Sequence, residues 1–155
     1  MKKRPKIYYV LASTGIIKNR VIENRSDFAT AITEQGHTVI IPKIIHRTLD
    51  VLSERPVSNL EALLALGDID KVKDNCPDSI KIITPNWKLA NKANGENFDP
   101  ENKRDELLAT IATFLLKTDD EKDVVIILTE DSSIPKEIKK IIPKTTIMGA
   151  NSIFF

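Results

Sequence analysis

Cysteine is almost missing from this chain of 155 residues: Cys76 stands alone, which excludes an intramolecular disulfide and any compact cysteine-based zinc site. Two histidines, His37 and His46, are too few for histidine-rich metal chemistry. Aromatic residues make up only 5% of the sequence, little material for platforms that stack unpaired bases. No stretch approaches the roughly 18 consecutive apolar residues of a membrane span, and Met1 to Lys6 leads straight into a strand-like run instead of a hydrophobic signal core. A soluble nuclear or cytoplasmic protein with no membrane association is therefore expected. A formal net charge of +1 offers no global field to steer nucleic acid. Basic groups at Lys2, Lys3, Arg4 and Lys6, and at Lys136, Lys139, Lys140 and Lys144, read first as solvated faces. No glycine-rich phosphate loop follows any strand-like run, since Ser13-Thr14-Gly15 is too little for a dinucleotide or P-loop fingerprint.

What the chain does contain is the material of one ordinary core. Apolar residues form 41% and charged residues 29%, as in a globular domain, and the length suits a single domain over residues 1–155. Ile7 to Leu11 is a continuous β-branched and aromatic run that predicts a buried strand. Ser26 can cap a helix carrying Phe28, Ala29 and Ile32 that ends at Gly36, and Thr38 to Ile41 is the second strand. Pro42 opens a helix with Ile44, Ile45, Leu49 and Leu52 on one stripe. Val57, Ser58 and Glu61 suggest a staple and capping box before Leu60, Leu63, Leu64 and Leu66, with Gly67 as the stop and a turn-rich stretch from Asp68 to Asp78. Ile80 to Thr84 is a third strand closed by Pro85, and Asn86 to Pro100 reads as a polar, loosely held excursion. Leu107 to Leu115 marks a broad-faced helix, Val124 to Leu128 a fourth strand, Pro135 the start of a short helix, and Thr145 to Met148 a fifth strand. Strands alternating with helices argue for an α/β fold, a three-layer α/β/α sandwich around a parallel five-stranded sheet.

In an open parallel sheet the functional crevice lies at the carboxyl ends of the strands. Ala12, Ser13 and Thr14 follow the first strand immediately, and Thr129, Glu130 and Asp131 follow the fourth. Asp105 sits in the first turn of the helix that feeds the fourth strand.

These residues carry a resemblance to PIN-type nuclease domains across essentially the whole chain. Val10-Leu11-Ala12-Ser13-Thr14 resembles the family's first strand and hydroxyl residues, with Ala12 where an aspartate is usual. Val39 to Asp50 resembles its strand, proline and helix, with Thr48 where a glutamate is usual. Asp105-Glu106-Leu107-Leu108-Ala109-Thr110 resembles the third landmark, an acid before an apolar run, and Thr129-Glu130-Asp131 the fourth. The second motif is closest in flavour to eukaryotic RNA-surveillance or ribosome-processing members. The resemblance implies strand order 3-2-1-4-5, with Asp105 and Asp131 converging beside Ala12.

Phosphodiester hydrolysis in such domains is understood to need clustered carboxylates that hold Mg²⁺ or Mn²⁺ and orient a water. Asp105 and Asp131 would then be the remnant catalytic and metal-binding pair, with Glu130 as reserve ligand. Ala12 supplies no ligand, and the Thr48 hydroxyl is a poor neutral substitute. The expected function is thus a catalytically degenerate PIN-like domain acting through a protein partner in RNA processing or surveillance, with weak single-stranded RNA binding at most. The alternative is a Mg²⁺- or Mn²⁺-dependent single-stranded RNA endonuclease, weak or inactivated by the substitution at Ala12. Each surviving acid also has a structural reading: Asp105 lies three residues beyond Asn102 and can complete a helix cap, while Asp131 can organise the turn into Ser132-Ser133. The excursion at 86–100 is expected to contribute few core contacts, so that replacing Asn91 to Asn97 would leave stability nearly unchanged.

Overall fold

A computed structural model describes residues 5–17, 27–56, 60–118, 122–144 and 146–151. The proposed capping residues Ser26, Val57 and Ser58 lie outside these. Five strands form one sheet: β1 (Ile7–Leu11), β2 (Thr38–Pro42), β3 (Ile80–Ile83), β4 (Val124–Leu128) and β5 (Ile147–Ala150). Their order is β3-β2-β1-β4-β5, and every neighbouring pair is parallel. Central β1 pairs with β4 from Ile7↔Val124 to Leu11↔Leu128, so both strands end at the same level. Parallel strands need crossovers, and helices make them: α1 (Phe28–Glu34), α2 (Lys43–Ser53), α3 (Leu60–Asn75), α4 (Trp87–Asn94), α5 (Lys103–Lys117) and α6 (Ser133–Ile141). The result is the expected three-layer α/β/α sandwich. Among the described residues, no helix is long and apolar enough to cross a membrane.

The sheet is buried from both sides where the strands approach their carboxyl ends. Val10, Leu11, Ile127 and Leu128 lose nearly all solvent contact, as expected of strands covered on two faces. At the opposite end Asp123 Oδ1 accepts from Lys6 N at 2.9 Å, which fixes the start of β1 against β4. Burial first, and then the Asp123 carboxylate, raises the neighbouring Tyr8 hydroxyl above its ordinary pKa.

Three elements depart from the sequence reading. Helix α3 does not stop at Gly67 but continues to Asn75. A glycine costs a helix about 1 kcal/mol relative to alanine, and burial of Ala65, Ile69 and Val72 on either side of it outweighs that cost. The buried stripe of α3 is therefore Ala62, Ala65, Ile69 and Val72, whereas Leu60 and Leu63 remain 58% and 50% exposed. The stretch 86–100 is no loose excursion, because α4 occupies most of its first half. Asn86 Oδ1 caps that helix by accepting from Leu89 N at 3.1 Å, and Gly95, at φ +80°, ends it in the left-handed region. Ala90 and Phe98 are buried. Finally, β5 begins at Ile147 and runs to Ala150, two residues beyond the expected start, because its pairing with β4 is set by Val125↔Ile147.

Candidate functional site

At the carboxyl ends of β1 and β4 the ladder persists for one more residue on each side. Ala12 N donates to Leu128 O at 2.8 Å, and Thr129 N donates to Ala150 O at 2.9 Å. Each strand then breaks into a hydroxyl-organised turn. Ser13 Oγ accepts from Gly15 N at 3.2 Å, and Thr129 Oγ1 accepts from Asp131 N at 3.0 Å, the local bonding that Ser and Thr favour outside regular structure. Between these turns and the helices α2 and α5 lies a crevice of about 270 Å³. Ala12, Ser13 and Thr129 form its floor, Thr48 and Ile45 one wall, and Lys103, Arg104 and Leu107 the other, with Asp131 at the rim.

Ala12, Thr48 and Asp131 therefore meet around one crevice. Asp105 does not line it: its Oδ2 accepts from Asp99 N at 2.8 Å, and its own N–H donates to the capping Asn102 Oδ1 at 3.0 Å. The preceding residue, Arg104, takes that wall instead. Helical spacing explains the choice, since Arg104 lies one turn before the crevice-lining Leu107. That count back from Leu107 was the sequence signal for Lys103 and Arg104, which motif reading passed over. Glu130 turns elsewhere, toward Gly15, where any Cβ would collide with its carboxylate. It lines a separate hollow with Pro135, Lys136 and Gly149.

The electrostatics of the rim belong to Asp131 and Arg104. Asp131 Oδ1 accepts from Ser133 Oγ at 2.6 Å and from Ser133 N at 3.0 Å. Its Oδ2 accepts from Arg104 Nη1 at 3.1 Å, while Arg104 Nη2 donates to Ser133 Oγ at 2.9 Å. The Ser133 bonds, followed by the guanidinium, hold the Asp131 carboxyl below its ordinary pKa. A second ion pair, Arg47 with Glu106, ties α2 to α5 beside an adjoining hollow of about 390 Å³ that shares Ile44, Thr48 and Lys103 with the crevice.

The topology is that of PIN-like domains. No protein-family model matches the chain, and no curated protein is similar to it at a significant level. The PIN-like fold raises the question of a divalent cation, and the residues present do not fit one. Mg²⁺ and Mn²⁺ favour carboxylate and other oxygen ligands, whereas the single carboxylate lining this crevice among the described residues has both oxygens engaged by Ser133 and Arg104, and two cationic side chains stand on the facing wall. Among the described residues no group of three His, Cys, Asp or Glu side chains could hold a metal ion.

Proposed function

We propose that this chain is a PIN-like domain that works by binding and does not hydrolyse phosphodiesters. The observation that carries the reading is the wall of α5: Lys103 and Arg104 face the crevice in which a nuclease of this fold would need acids. A guanidinium beside the one carboxylate that lines it among the described residues repels the ion that would have to activate water. A role in RNA processing or surveillance through a protein partner is the setting the motif resemblance supports. Val51 on α2 and Leu60, Leu63 and Leu64 on α3 are large apolar side chains left exposed on two mutually packed helices, the kind of surface that favours protein contacts.

Cleavage of labelled single-stranded RNA in Mg²⁺ or Mn²⁺ tests the proposal, using the chain, an Ala12→Asp variant and an Ala12→Asp, Asp105→Asn control. No metal-dependent cleavage is expected from any of them. Robust cleavage by Ala12→Asp that disappears in the control would restore the ribonuclease alternative, with Asp105 and Asp131 as its catalytic and metal-binding acids and Glu130 in support.

A further inference from the structure

The polar groups of the crevice differ in what they still have to offer. A hydroxyl carries one proton and two lone pairs. Thr48 Oγ1 spends its proton on Ile44 O at 2.9 Å, so only lone pairs remain. Ser13 Oγ and Thr129 Oγ1 are engaged the other way, as acceptors from Gly15 N and Asp131 N. Neither donates to any acceptor among the described residues. Thr129 is 5% exposed, so its unspent proton has little bulk water to meet, and a buried donor without an acceptor is costly.

The charged groups lean the same way. Lys103 makes no ion pair among the described residues, while Arg104 commits two N–H groups to Asp131 and Ser133 out of the five that a guanidinium carries. Asp131, the one lining carboxylate among the described residues, has no oxygen free of a donor. Apart from the lone pairs of Thr48, the unspent capacity of the described lining residues is therefore mostly donor capacity, arriving from the end of β1, the end of β4 and the first turn of α5. A planar carboxylate offers two oxygens along one edge; a tetrahedral group offers oxygens in several directions, as this arrangement requires. A space of about 270 Å³ accommodates a phosphoryl group with a short ester.

We infer that the crevice binds a small phosphoryl oxyanion through Ser13, Thr129, Lys103 and Arg104, in the place where a PIN-like nuclease would hold a cation. The inference rests on the non-hydrolytic reading of the domain and names its ligand class. Charge-assisted bonds from the lysine and the guanidinium supply attraction, and the two hydroxyls on the rigid floor supply orientation.

The test is a titration of the full chain with inorganic phosphate, followed by amide NMR shifts, with parallel titrations by acetate and by MgCl₂. Saturable shifts at Ser13 and Thr129 are expected, with a dissociation constant on the order of millimolar and weaker effects from acetate. Lys103→Gln and Thr129→Val should each weaken phosphate binding by about fivefold or more. Thr129→Ser keeps the hydroxyl and should retain binding, which separates loss of a donor from loss of the fold. Lys139→Gln, on the exposed side of α6, should change nothing. Absence of saturation up to about 20 mM phosphate, or equal weakening by Lys139→Gln, would overturn the phosphoryl site while leaving the non-hydrolytic reading intact. Saturable binding of Mg²⁺ at the same amides would overturn both.

Discussion

Two glycines show how one residue type can oppose or invite a side chain. A Cβ on Gly149 would lie 2.5 Å from Pro135 Cγ and 3.1 Å from Pro135 Cβ, and a proline ring has little freedom to move aside. Gly149→Ala should lower the unfolding free energy by about 1–3 kcal/mol. At Gly67, inside α3, a Cβ would meet nothing within 4 Å. Gly67→Ala should therefore raise stability by about 0.5–1 kcal/mol, because the substitution restricts the unfolded chain without crowding the folded one. Urea denaturation of the two variants reads both signs in one experiment. Neither answer was legible in the sequence, since tertiary packing decides what stands opposite each glycine.

Asp68 is the other residue whose role required the fold. Its Oδ2 accepts from Ala29 N at 2.6 Å, and its Oδ1 accepts from Thr30 N at 3.2 Å and Thr30 Oγ1 at 2.6 Å. A carboxylate on α3 thus satisfies the first turn of α1, for which Asp27 makes no side-chain cap. Desolvation by burial outweighs the Thr30 and Ala29 hydrogen bonds, and with a smaller push from Asp27 it raises the Asp68 pKa above its ordinary value. The folded chain consequently keeps this proton at pH values where the unfolded chain has released it. Stability contributed by the group is present below the unfolded pKa and is lost as pH rises through the folded one. Asp68→Asn should remove that part of the pH dependence, seen as a flatter stability profile for the variant than for the parent across the mildly acidic range. Asp68→Ala should remove the same pH dependence and cost about 1–2 kcal/mol more than Asp68→Asn, because it also strips the cap from α1.

At the scale of elements, the segment between β3 and α5 was the least legible. Its Asn, Gly, Lys and Glu content matches a loop, yet asparagine serves as scaffolding there. Asn86 caps α4, Asn91 Oδ1 accepts from Phe98 N at 2.8 Å, and Asn86 N donates to Thr113 Oγ1 on α5 at 3.0 Å. Composition cannot distinguish an asparagine that solvates a loop from one that terminates a helix; only the partner decides. Asn86→Ala should cost about 1 kcal/mol. Replacing Asn91 to Asn97 with a Gly-Ser link should clearly lower the melting temperature by differential scanning calorimetry, since it removes the bond that places the buried Phe98. The leucines of α3 do not mark its buried face either, since Leu60, Leu63 and Leu64 stay exposed. Small alanines at Ala62 and Ala65 let the helix approach closely, and close approach selected that face for burial.

For the whole molecule, sheet order places the ends of β1 and β4 side by side and brings α2 and α5 over them. Ala12, Arg104 and Asp131 thereby line one crevice, although they are distant in sequence. An Ala12→Asp, Arg104→Asp double variant would line it with three carboxylates. It should bind Mn²⁺ at least about tenfold more tightly than either single variant by calorimetric titration. Equal affinities among the three would show that the crevice geometry itself, and not its charge, disfavours a cation.

The sequence by itself determined the strands, the α/β alternation and the carboxyl-end location of the crevice, because continuous β-branched runs must be buried on two faces and right-handed crossovers leave few topologies. The resemblance placed Asp105 and Asp131 beside Ala12, and of these two acids Asp131 alone lines the crevice with Ala12 and Thr48. Which side chain of Lys103-Arg104-Asp105 faces the crevice was decided by the rotation of α5 about its axis, and that rotation follows from burying Leu107, Leu108 and Ile111 against the neighbouring layers. Packing energy fixed the angle. The charge presented to the crevice followed from it, with the exposed Arg104 at its rim and Asp105 engaged at the helix cap.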